Sequence, residues 1–154
     1  MHKRILLVDD DLGVRRMLQR VLEEEDYVVV PAADGMEALR AAASRAPDLV
    51  LLDLNLPLKN GWDTFERLTT DNPRLPVIII TARPNQLFPA LASGAAALME
   101  KPLDLPKLLR TIQDLLAEAP AARRARTAGR ATEFHYLPPK AGLPAARGEQ
   151  RHVA

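Results

Sequence analysis

Three short, uninterrupted apolar runs stand out along the chain: Ile5–Val8, Leu49–Leu52 and Val77–Ile80. None alternates with polar residues. That is the pattern of parallel strands covered by helices on both faces. A fourth run, Tyr27–Val30, is rich in valine and follows an acidic stretch. A fifth, near Ala97–Met99, carries little signal by itself.

Helical spacing fills the gaps. After Asp11, a good N-cap, Val14, Met17, Leu18, Val21 and Leu22 recur on one face. Met36, Leu39 and Ala43 repeat the pattern after Asp34. Trp62, Phe65 and Leu68 mark a third helix, which Asn72-Pro73 ends. A fourth lies within Pro84–Ser93 and is closed by Gly94. Asp104 caps the fifth, whose stripe is Leu105, Leu108, Leu109, Ile112, Leu115 and Leu116. Five β-α units in succession predict an α/β sheet with right-handed crossovers.

Composition divides the chain near Glu118. Residues 1–117 hold 14 basic and 17 acidic side chains, and residues 118–154 hold 7 and 3, so a −3 domain precedes a +4 tail. The tail is Ala, Arg, Pro and Gly with little apolar periodicity, and is expected to be disordered. The whole chain, at net +1 and 47% hydrophobic, has enough apolar residues for a sizeable core and no charge bias toward a polyanion. It has no cysteine, which excludes disulfides and thiolate metal sites and fits a cytoplasmic protein. The apolar stretch of the first segment is too short for a signal peptide and runs into three acids. No run approaches the ~20 residues of a membrane span.

In open parallel sheets the reactive crevice lies beyond the carboxyl ends of the strands. Strand one ends in Asp9, Asp10 and Asp11, and strand three in Asp53. Strand four ends in Thr81, and strand five is followed by Lys101-Pro102. Converging there, Asp9, Asp10 and Asp53 repel one another, and a hard divalent cation relieves that repulsion. Mg²⁺ suits such a site. Asp53 can then serve as a carboxylate nucleophile toward phosphorus, with Lys101 and the Thr81 hydroxyl holding the transferred oxygens. Asp11 reads as a cap rather than a ligand, and Trp62 as half-buried packing. His2, His135 and His152 show no metal-ligand spacing.

The segments Leu7-Val8-Asp9-Asp10-Asp11, Leu51-Leu52-Asp53-Leu54-Asn55-Leu56-Pro57, Thr81-Ala82 and Lys101-Pro102, with Gly61 and Gly94-Ala95, resemble the receiver domains of two-component response regulators. The likeness covers about residues 3–117 and is nearest to the single-domain, chemotaxis-regulator type. It implies a flavodoxin-like, doubly wound, five-stranded parallel sheet of order 2-1-3-4-5. It implies that Asp53 is phosphorylated. Mg²⁺ would be held by Asp10 and Asp53, by Asp9 mostly through water, and by the backbone carbonyl of Asn55. Thr81 would move toward the phosphoryl group, Lys101 would pair with it, and the Lys101-Pro102 bond would be cis. The donor would be a histidine kinase or phosphotransfer protein, and the output an unidentified downstream protein. Such a protein is a signalling phospho-switch that catalyses only its own phosphorylation and dephosphorylation.

The chain departs from the family at one switch position. Three residues before the lysine, where an aromatic residue is common, stands Leu98, and the stretch from Thr81 to Lys101 is about two residues short. With Pro84 and Pro89 inside it, the fourth helix is expected to be short or broken. A DNA-binding regulator using Arg123, Arg124, Arg126 and Arg130 is one alternative. The tail lacks helix-turn-helix periodicity, however, and nucleic acid is not expected as a partner. A receiver-like scaffold that is never phosphorylated is the other, and the complete set of acids, threonine and lysine argues against it. The stretch Glu133-Phe134-His135-Tyr136-Leu137-Pro138-Pro139 permits two readings: a docking motif, or a segment folded back on the domain.

Overall fold

The computed structural model describes residues 2–56, 60–118 and 134–141. Its elements follow the order β1 (Arg4–Val8), α1 (Leu12–Glu24), β2 (Val28–Ala32), α2 (Gly35–Arg45), β3 (Leu49–Asp53), α3 (Gly61–Asp71), β4 (Val77–Thr81), α4 (Leu87–Ser93), β5 (Ala97–Glu100), α5 (Leu105–Leu116) and β6 (His135–Leu137). The strands form one sheet of order β2-β1-β3-β4-β5-β6, parallel throughout.

The alternation of side chains along each strand sorts the core into two layers. Leu6, Val8, Val50, Leu52, Val77, Ile79 and Leu98 face α2, α3 and α4, where Ala38, Phe65, Leu68 and Ala90 meet them. Ile5, Leu7, Leu49, Leu51, Ile78, Ile80 and Met99 face Leu18 and Leu22 of α1 and Leu108, Ile112 and Leu115 of α5. Both faces of β1, β3 and β4 are covered, which is why those strands read as unbroken apolar runs. Asp11, Asp34 and Asp104 cap their helices, each accepting a hydrogen bond from a backbone N–H three residues on.

Two expectations change in detail, and a third holds. The sheet has six strands, not five: part of the tail adds β6 beside β5. Phe134 packs on the α2–α4 layer, and Leu137, only 4% exposed, enters the α1–α5 layer. The segment 134–141 therefore folds back on the domain and is not disordered. Residues 119–133 and 142–154, with the four tail arginines, lie outside the described residues. β2 begins at Val28 and runs past the expected Val30 to Ala32, because Pro31, which has no N–H, sits on an edge strand where none is needed. The fourth helix, α4, is short as expected, at seven residues, and is unbroken. Pro89 occupies the third helical position, in the first turn, where its missing N–H costs no intrahelical bond.

Candidate functional site

The loops after β1, β3, β4 and β5 meet at one end of the sheet. Asp9 leaves β1 and Asp53 ends β3; both are buried, at 1% and 2% exposure, whereas Asp10 is exposed. Oxygen atoms of Asp9, Asp10 and Asp53 all lie within 4.8 Å of one another. From the far end of β5, the Lys101 ammonium reaches 3.0 Å from Asp53 Oδ2 and 4.0 Å from Asp9 Oδ2. Thr81, buried at the end of β4, is one step beyond Ile80, the residue paired with Asp53. The structure thus brings together Asp9, Asp10, Asp53, Thr81 and Lys101.

Backbone groups fix these side chains. The Asn55 N–H donates to Asp53 Oδ1 at 2.9 Å, and the Asp11 N–H donates to Asp9 Oδ1 at 2.9 Å. The Arg83 N–H donates to the Thr81 hydroxyl oxygen at 2.8 Å. Gly61 allows the chain after β3 to close: a Cβ there would lie 2.4 Å from Leu54 Cα, and its N–H donates to the Leu54 carbonyl at 3.1 Å. The Lys101–Pro102 peptide bond is cis.

The electrostatics of the cluster are unbalanced. Burial pushes the Asp9 carboxyl up from 3.8 to about 6. The Asp11 N–H opposes that rise, Asp53 and Asp10 add to it, and Lys101 relieves part of it. Burial disfavours the charged form of Lys101. The hydrogen bond to Asp53 and the charges of Asp53, Asp9 and Asp10 outweigh this and raise its pKa above the ordinary lysine value. Asp9 Oδ2 is buried and accepts no hydrogen bond. An orphaned carboxylate oxygen among three acids fits a hard divalent cation, whose charge would satisfy it.

Comparison with known proteins agrees with this geometry. Residues 5–113 match the family model of the response regulator receiver domain. The chain belongs to the response-regulator receiver family. The receiver is 38% identical over 118 residues to the response regulator MprA of Mycobacterium ulcerans, covering 75% of this chain and 51% of that one. It therefore spans about half the length of the curated relatives it matches. Among solved structures it resembles a CheY-like receiver domain protein of Methanospirillum hungatei, with TM-score 0.72 and 31% identity over 75% of this chain and 94% of that one. It also resembles the response regulator TrrA of Thermotoga maritima in complex with Mg²⁺-BeF, with TM-score 0.69 and 29% identity over 73% and 98%.

Two residues near the receiver's acid cluster had no signal in the sequence. A guanidinium nitrogen of Arg15 donates to the Asp9 carbonyl at 2.6 Å, and one of Arg83 reaches the Leu54 carbonyl at 3.5 Å. Arg15 lies one turn beyond the Asp11 cap, on the face of α1 that looks at the site. Arg83 lies two residues after Thr81. Their placement depends on the folded loops, and only their proximity to Asp11 and Thr81 hints at it. Leu98, three residues before Lys101, is fully buried on β5 and pairs with Tyr136 of β6. Trp62 is half-buried and stacks edge-on against Phe65, while its indole N–H donates to Gln86 at 2.9 Å. Among the described residues no helix is long and apolar enough to cross a membrane.

Proposed function

We propose that this receiver is a phospho-switch in which Asp53 accepts a phosphoryl group from phosphohistidine on a histidine kinase or phosphotransfer protein. The observation that carries this reading is the Lys101 ammonium held 3.0 Å from a buried Asp53 that also faces Asp9 and Asp10. The solved complex of TrrA with Mg²⁺-BeF, a relative of the same fold, supports it.

In the proposed reaction one carboxylate oxygen of Asp53 attacks phosphorus. The new O–P bond forms as the P–N bond of the donor breaks, and the imidazole nitrogen leaves with the electron pair. Asp10 and Asp53, with Asp9 mostly through water and the Asn55 backbone carbonyl, would hold Mg²⁺, which would supply positive charge against the phosphoryl oxygens. Lys101 shifts its ammonium from Asp53 Oδ2 to a phosphoryl oxygen. The Thr81 hydroxyl donates to another, and its oxygen keeps the Arg83 N–H. The Asn55 N–H holds the Asp53 carboxyl group in one orientation. Positioning and charge neutralisation are most of what phosphoryl transfer asks of a protein. Hydrolysis of the acyl phosphate by water resets the switch, and the output is altered binding of a downstream protein.

Borohydride reduction tests the assignment. An acyl phosphate at position 53 is reduced to homoserine, and peptide mapping locates it. Reduction at another residue contradicts the reading.

A further inference from the structure

The sixth strand is tied to the two residues that flank Lys101. The Tyr136 hydroxyl donates to the Glu100 carboxylate on one side, and the Lys140 N–H donates to the Pro102 carbonyl at 2.8 Å on the other. Lys101 itself donates its N–H to the Thr81 carbonyl at 2.9 Å, and Glu100 pairs with Thr81 across β4 and β5. The tail segment therefore grips the end of β5 where the site's lysine leaves it. Its hold elsewhere is slight. β6 is three residues long and lies at the sheet edge, paired only with β5. It is anchored by Leu137 on one face and Phe134 on the other, while Tyr136 is 45% exposed. So short an edge strand is a low-stability unit that can open without unfolding the domain.

We propose that the edge of β5 is a docking surface for an extended strand, filled in the resting chain by its own residues 134–140. Phosphorylation at Asp53 weakens that docking. This rests on the phospho-switch reading and adds its output. The direction follows from where Lys101 stands. With the tail docked, the ammonium sits against Asp53, in space that phosphoryl oxygens must enter. In this proposal part of that outward shift is taken up by the backbone of Glu100–Pro102, to which the tail is bonded on both sides. Docking thus opposes phosphorylation, and by linkage phosphorylation opposes docking by the same factor. Release uncovers the backbone groups of Ala96–Pro102 and the socket of Leu137, a template for a partner's extended strand carrying an apolar residue at that position.

Hydrogen exchange on the full chain, with phosphorylation followed by intact mass, tests the coupling. The His135 and Lys140 amides, which donate to the Ala96 and Pro102 carbonyls, should exchange at least about fivefold faster in the phosphorylated protein, with β1 and β3 unchanged. Leu137→Asp, which undocks the strand, should bind beryllofluoride in the presence of Mg²⁺ at least about fivefold more tightly than the parent. Tyr136→Phe, which keeps the ring and the fold, should shift the affinity in the same direction by less. Unchanged exchange in a chain shown to carry phosphate at Asp53, or parental affinities in both variants, overturns the inference alone. A chain that takes up no phosphoryl group overturns the phospho-switch reading and this inference with it.

Discussion

Lys101 reaches Asp53 across an intervening strand: β4 lies between their two strands, yet the ammonium stands 3.0 Å from the carboxylate. Its charge lies against both buried acids. Lys101→Ala leaves their repulsion uncompensated. The side chain is 28% exposed, so the cost falls below that of a fully buried pair, at roughly 1–2 kcal/mol without metal. Urea denaturation measures it, and saturating Mg²⁺ should recover most of the loss. Equal stability of parent and variant would show that Lys101 does not balance the acids.

Asp10→Ala acts in the opposite direction. Asp10 is exposed and contributes to the like-charge cluster, so the metal-free variant should gain up to about 1 kcal/mol. The same change removes a ligand. Trp62, the only tryptophan, links the first turn of α3 to Gln86 after β4 and reports a Mg²⁺ titration. The variant should show no saturable response below millimolar metal. An unchanged titration would move the metal site elsewhere.

Asp9 makes metal-free stability depend on pH. Unfolded, it ionises near 3.8; folded, it holds its proton to about 6. Between those values the folded state binds more protons than the unfolded one, so this contribution is full below about 4 and is lost as pH rises to about 6. The loss is on the order of 3 kcal/mol. Asp9→Asn removes it. Without metal the variant should therefore be more stable than the parent at pH 7, and the difference should vanish near pH 4. A constant difference across that range would mean that Asp9 is not the titrating group.

Gly61→Ala tests how the loop after β3 is held. A methyl group 2.4 Å from Leu54 Cα has no room, and Leu54 adjoins Asp53. Overpacking at this position costs about 1–3 kcal/mol. The denaturation midpoint should fall, and labelling of Asp53 should slow because its backbone shifts. A parental midpoint would show that the loop relaxes freely.

The parts legible in the sequence are those where one physical demand acts alone. Ile5–Val8, Leu49–Leu52 and Val77–Ile80 read as strands because both their faces are buried. Asp9, Asp10, Asp53, Thr81 and Lys101 were identifiable because they end or follow strands whose ends share one crevice. Reading failed where two demands conflict. Pro31 looks like a strand breaker, yet it stands on an edge that needs no N–H. β6 was hidden because three residues with one buried leucine make no pattern among Ala, Arg and Pro, and its partner β5 was itself weak in sequence. Arg15 and Arg83 reach the site through contacts that only the folded loops create.

Whether Asp53 is the phosphoryl acceptor is decided by intact mass after incubation with acetyl phosphate and Mg²⁺, on the parent and on Asp53→Asn, which keeps the side chain's shape and removes its charge. The parent should gain one phosphoryl group, chelation of Mg²⁺ should abolish the gain, and the folded variant should gain none. Equal labelling of Asp53→Asn would contradict the assignment.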